Sequence, residues 1–185
     1  MKKILVVSDT HMDNDTFSLI TARHRDCDYF VHCGDSSLPY NDPLLNGYIT
    51  VIGNHDDDPH YDQNRFFKVE DQRIFVTHGH LYDVYLSYDK LYHKAKQMNC
   101  SLVLHGHTHI PHLQTINGIT FINPGSVMFN RSHYGYGTYA LVFIDHTQVS
   151  VHFYHHETHQ IVDDIVLQDG EEILKEFGFR HDLTF

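Results

Sequence analysis

No stretch of this sequence approaches the ~20 consecutive apolar residues that a membrane span requires, so no membrane partner is expected. Lys2 and Lys3 before the apolar residues 4–7 resemble the start of an export signal. Ser8-Asp9 then cuts the run short of the ~7–15 apolar residues such a signal needs, and a cytoplasmic location is the expectation. Cations are scarce too: 13 Lys and Arg face 24 Asp and Glu, for a net charge of -11 with histidine neutral. That balance repels nucleic acid and anionic lipid at long range, which disfavours nucleic-acid binding. An anionic substrate would have to be drawn by something local. Cysteine is limited to Cys27, Cys33 and Cys100, an odd number without C-x-x-C spacing, which fits reduced, buried thiols.

What the chain does have is histidine, 19 in all, so that a lone one carries little information and only spacing can raise one above background. At 185 residues the length fits one domain, taken as residues 1–185.

Apolar periodicity predicts strands over residues 4–7, 29–33, 48–52, 66–69, 73–76 and 102–104. A helix is expected from the Asp13-Asn14-Asp15 caps to about Arg25, and another after Ser87 carrying Leu91, Ala95 and Met98. Farther along, Asn117-Gly118 signals a hairpin between 113–116 and 119–122, and a second hairpin joins 139–144 to 149–154. Residues 161–167 read as a further strand and 171–177 as a short helix. Strand-helix alternation followed by an antiparallel meander predicts a mixed α/β sandwich.

Five of these apolar runs end in metal-type residues: Asp9-x-His11, Gly34-Asp35, Gly53-Asn54-His55-Asp56, His78-Gly79-His80 and Gly106-His107-Thr108-His109. Ligands of open α/β sheets gather outside the carboxyl ends of the strands, so five distant loops should converge on one place. Buried polar groups need partners, and these supply oxygen and nitrogen without thiolate, a set suited to Mn, Fe, Zn or Ni. The donors outnumber what one four-coordinate ion uses, which favours two ions ~3.5–4 Å apart. Two divalent ions would also give this acidic chain a positive pocket for phosphate.

In number and order these motifs resemble the calcineurin-like metallophosphoesterases, and Asn123-Pro124-Gly125-Ser126 and the compact length are similar to the small phosphodiesterase branch. The resemblance implies a four-layer α/β/β/α sandwich of two mixed sheets flanked by helices, and a dinuclear phosphoesterase acting through a metal-bridging hydroxide. By the same resemblance Asp9, His11 and His109 would hold one ion and Asn54, His78 and His107 the other, with Asp35 bridging. Mn is the first choice among Mn, Fe, Zn and Ni. His55 would serve the leaving group as general acid or hydrogen-bond donor. Phosphoprotein phosphatases follow their Gly-Asp with Asp and Arg, whereas Ser36-Ser37-Leu38 stands here, so the expected substrate is a small phosphate ester, with diesters favoured over monoesters. Asp56 is a candidate partner for His55, and Arg131 a candidate substrate contact.

Other readings compete. Some relatives of this fold lose metal ligands and act as scaffolds, as in the retromer coat, but this sequence keeps all seven donors. Histidine-rich metal storage is a third reading, and a homo-oligomer is left open. His80 and His105 are expected in loop packing or solvent contact, and His152, His155, His156 and His159 on a solvated face. Tyr82, Tyr85 and Tyr88 fit either a substrate groove or the core, and the tail from Glu171 is expected to dock on the domain or a second subunit.

Overall fold

The computed structural model describes residues 1–146 and 148–184. The first sheet is built from β1 (Lys2–Val7), β2 (Tyr29–His32), β3 (Tyr48–Thr50), β9 (Thr138–Asp145) and β10 (Gln148–His155), in the order β10-β9-β1-β2-β3. The second holds β4 (Asn64–Val69), β5 (Gln72–Thr77), β6 (Leu102–Leu104), β7 (His112–Ile116) and β8 (Ile119–Asn123), in the order β4-β5-β6-β8-β7. In each sheet three strands run parallel, β1-β2-β3 and β5-β6-β8, with antiparallel hairpin strands beside them.

Side-chain alternation explains the layering. Ile4 and Val6 face the core shared by the sheets, where Ile74, Val76, Leu102 and Leu104 meet them. The alternate residues Leu5 and Val7 pack on Phe17 and Ile20 of helix α1 (Asn14–Arg23). In the second sheet Phe75, Val103 and Phe121 point outward onto Leu91 and Ala95 of α2 (Asp89–Gln97). Central strands buried on both faces are therefore continuous apolar runs, which is why they read as strands.

Helix α3 (Asp163–Glu176) corrects the expectation of a strand over 161–167 followed by a short helix. Only Ile161 pairs, in an isolated bridge to Tyr154. Ile161-Val162 and Ile165-Val166 mimic a strand, but Val166, Gly170, Ile173 and Leu174 recur at helical spacing and are the buried face. Asp163 and Asp164 sit in the first turn, where the helix dipole favours acids. The tail docks on its own chain: Phe179 is buried in the outer core of the second sheet, while Phe177 stays exposed.

Candidate metal centre at the strand ends

Strands β1, β2 and β3 of one sheet and β5 and β6 of the other deliver the five polar motifs to one rim. His109 Nε2 lies 3.1 Å from both Asp9 Oδ1 and His11 Nε2. His11 Nε2 is 3.7 Å from Asp9 Oδ1 and 3.9 Å from Asp35 Oδ2. His78 Nε2 reaches Asp35 Oδ2 at 3.2 Å, Asn54 Oδ1 at 3.1 Å and Asp9 Oδ1 at 3.8 Å. Two donor groups result, Asp9-His11-His109 and Asp9-Asp35-His78, joined through Asp9. His107 enters neither: its ring packs on that of His78, with centroids 5.1 Å apart, and its backbone N–H donates to Asp9 Oδ2 at 3.1 Å. His55 is exposed beside His11, ring centroids 5.3 Å apart, and opens onto a cleft of ≈ 430 Å³ lined also by Leu38, Pro39, Asp57 and Asp58.

The electrostatics call for a cation. Asp9 Oδ1 is buried with no hydrogen bond of acceptable geometry, an arrangement costly without a counter-charge. Burial alone would raise the Asp9 carboxyl, but His78, His109 and Ser8 outweigh it and hold it far below the usual range. At His78 burial disfavours the imidazolium, yet Asp9 and Asp35 outweigh it and lift the group to about 9. Burial and then His78 depress His107 to about 4. The two carboxylates thus draw positive charge into a buried place that also offers neutral imidazole nitrogens. His78 Nδ1 donates to Cys33 O at 2.7 Å, which fixes the ring so that Nε2 faces the carboxylates, where a metal ion would take the place of its proton. This donor set fits divalent metal ions.

The local backbone is unusual. Asp9, His11, Asp35, His107 and His109 all have positive φ, between 44° and 73°. Bulky residues rarely adopt that region, whereas Asp and His enter it more readily. Two glycines make room for the carboxylates. A Cβ on Gly53 would lie 2.0 Å from Asp35 Oδ1, and one on Gly106 would lie 2.6 Å from Asp9 Oδ2.

Sequence reasoning missed the supporting residues. Asp56 is not the partner of His55: it is buried, and it accepts hydrogen bonds from the backbone N–H groups of Asp35 (2.8 Å), Gly53 (2.7 Å) and Ser37 (2.7 Å). Among the described residues the His55 ring makes no hydrogen bond. Buried His32 accepts from Gly34 N at 3.2 Å and contacts Thr10 Oγ1 at 3.0 Å, tying the ends of β1 and β2. Ser8 Oγ donates to Asp9 Oδ2 at 2.6 Å, and Ser126 Oγ to Asp9 O at 2.8 Å. Asn123 Nδ2 donates to Gly106 O at 3.0 Å, so the Asn-Pro-Gly-Ser turn braces the last motif. Asp56→Ala is expected to leave three N–H groups poorly satisfied and to cost about 3 kcal/mol. Thermal unfolding should shift down by about 6–12 °C, and an unchanged midpoint would refute the anchoring role.

The remaining candidates also find places. Arg131 N donates to His109 O at 2.8 Å, and its guanidinium lies 5.8 Å from the Tyr85 ring centroid and 5.7 Å from that of Phe177. Tyr85 edges onto His107, 5.4 Å between centroids, whereas Tyr88 is core and Tyr82 half-buried. His105 is buried and bonded rather than solvated, and His80 is half-buried against His78. The face with His152, His155, His156 and His159 is half-buried, and each imidazole has a local partner.

Two mixed sheets flanked by three helices, with Asp, Asn and His donors gathered at their parallel strand ends, define a metal-dependent phosphoesterase sandwich. The chain belongs to the calcineurin-like phosphoesterase superfamily, whose domain matches residues 1–147. It is 30% identical over 161 residues to the probable metallophosphoesterase YsnB of Bacillus subtilis, covering 86% of this chain and 95% of that protein. A crystal structure of a conserved uncharacterized protein from Streptococcus pneumoniae TIGR4, a predicted phosphoesterase, superposes with a TM-score of 0.82 at 31% identity, over 87% of this chain and 92% of that one. Vps29 from Entamoeba histolytica, solved with zinc, shares the fold at 19% identity with a TM-score of 0.69, over 86% of this chain and 96% of that one. No helix among the described residues is long and apolar enough to cross a membrane.

Proposed function

We propose that the strand-end site holds two divalent ions and hydrolyses small phosphate esters, diesters in preference to monoesters. The observation that carries this reading is the pair of donor groups sharing Asp9. Mn is the first choice, with Fe, Zn and Ni as alternatives the same donors accept. When bound, two such ions neutralise phosphoryl charge and activate water. Asp9, His11 and His109 would hold one, and Asp35, Asn54 and His78, with the neighbouring His107, would hold the second. His55, exposed and with both ring nitrogens uncommitted, donates a proton or hydrogen bond to the leaving oxygen. Arg131, held by the His109 loop, aims its guanidinium at the substrate phosphate.

The cleft beside His55 supports the diester preference. Leu38 and Pro39 offer apolar surface for a second ester group, while Asp57 and Asp58 repel a doubly charged monoester more than a singly charged diester. A scaffold function, which the Vps29 likeness brings to mind, has no need of a complete donor set. The three buried free cysteines suit a reducing cytoplasm. Mn-reconstituted protein is expected to cleave bis-p-nitrophenyl phosphate with higher kcat/KM than p-nitrophenyl phosphate. The opposite order would refute the diester preference, and turnover of neither would refute the hydrolase.

A further inference from the structure

A second group of potential metal donors lies away from the strand-end rim, where β7, α3 and the C-terminal tail meet. His112 Nε2 is 2.8 Å from Glu171 Oε1, and His181 Nε2 is 3.1 Å from Glu171 Oε2. His112 is buried, while Glu171 and His181 are about half exposed, so the group opens to solvent on one side.

The group continues inward as a hydrogen-bonded series. Four bonds run in series: His105 Nδ1 to Gly106 O at 3.2 Å, His105 Nε2 to Tyr88 Oη at 3.0 Å, Tyr88 Oη to His112 Nδ1 at 2.6 Å, and His112 Nε2 to Glu171 Oε1 at 2.8 Å. Both ends of the series, a carbonyl and a carboxylate, only accept. With both imidazoles neutral the series would hold three protons for four bonds, so the fourth bond takes either one more proton, which makes His112 and Glu171 an ion pair, or a cation in its place. Burial pushes the Tyr88 phenol well up, so it keeps its proton. The outer end, at Glu171 and His181, is the part of the series open to a cation from solvent. A cation there replaces the fourth bond, and the three protons then satisfy the other three, leaving His112 Nε2 as a lone pair.

We propose that His112, Glu171 and His181 form a zinc-class metal site, independent of the strand-end centre, that clamps the C-terminal tail to the second sheet. Two imidazoles and a carboxylate are a recognised zinc donor set, with a fourth position for water. One donor atom from each of the three residues lies within 4.8 Å of the others, whereas tetrahedral zinc places its donors roughly 3.3 Å apart, so Glu171 and His181 must shift for both histidines to meet one ion. The half-exposed Glu171 and His181 can make that adjustment. Tyr88 fixes the His112 ring from behind, the outer partner that metal-bound histidines ordinarily have. Phe179 packs on Tyr88, His112 and His181, with ring centroids 5.1, 5.5 and 5.1 Å away, so an ion would hold the tail over a closed aromatic floor.

The test compares full-length protein with His181→Ala and Glu171→Gln. Each is stripped with chelator, equilibrated with Zn²⁺, freed of excess ion and assayed by elemental analysis. Each variant is expected to carry about one ion fewer per chain than the parent. Hydrogen exchange over residues 177–184 should slow with Zn²⁺ in the parent but not in His181→Ala. Mn-dependent phosphoesterase activity should be unchanged, which separates this site from the strand-end centre. Equal zinc content in the parent and in a folded His181→Ala, judged by circular dichroism, would overturn the proposal.

Discussion

Replacing His55 with alanine is expected to lower kcat by about 10²- to 10⁴-fold with metal content unchanged. The geometry makes the two readouts separable. The His55 side chain enters neither donor group, and among the described residues the one hydrogen bond of His55 in the site runs from its backbone N–H to Asp35 Oδ1 at 2.7 Å, which alanine keeps. The ring stands at the mouth of the cleft, where the departing oxygen of a substrate seated over Asp9 and Asp35 would emerge. A general acid there acts only in the transition state, so kcat should fall while KM stays near its original value. Full activity in a metal-replete His55→Ala would remove His55 from the mechanism. Loss of metal together with activity would instead make it a ligand.

Gly53→Ala should abolish the centre from behind. Its Cβ would meet Asp35 Oδ1 at 2.0 Å, Asp35 N at 2.4 Å and Asp35 Cγ at 2.6 Å, and two of those three atoms belong to the carboxylate itself. Asp35 cannot simply step aside, because Asp56 accepts from both its backbone N–H and that of Gly53. A displacement approaching 1 Å at this carboxylate should cost 10²-fold or more in turnover. Overpacking adds about 1–3 kcal/mol of destabilisation. Elemental analysis should find less Mn in the variant than in Gly118→Ala, a substitution at the hairpin turn with nothing within 4 Å. Equal loading of the two variants would show that the loop adapts and that Gly53 is not essential to the cradle.

Much of this site is readable from the sequence because the relevant signals are local. A β-branched run that stops at Gly-Asp or Gly-Asn-His-Asp announces both a buried strand and a polar exit. The supporting residues give no such local sign. Ser126 reaches Asp9 across 117 positions of sequence, and although its Asn-Pro-Gly-Ser turn stands out as a motif, nothing in that turn points to Asp9. Asp56 is misleading for a related reason: adjacency suggested His55 as its partner, whereas the chain turns its carboxylate inward to three backbone N–H groups. Helix α3 shows the limit of periodicity, since Ile161-Val162-Asp163-Asp164-Ile165-Val166 satisfies strand preference and only tertiary burial selects the helix.

The left-handed turns at Asp9, His11, Asp35, His107 and His109 set which replacements this centre can tolerate. Each such residue costs roughly 1–2 kcal/mol of backbone energy, borne whether or not an ion is present. Valine, isoleucine or threonine at any of them would damage the loop as well as delete a donor, whereas glycine would delete the donor and still adopt the loop's φ. Descendants of such a protein could therefore lose the chemistry by single steps while the sandwich persists. Alanine scanning would blur the two effects, and a glycine scan would separate them.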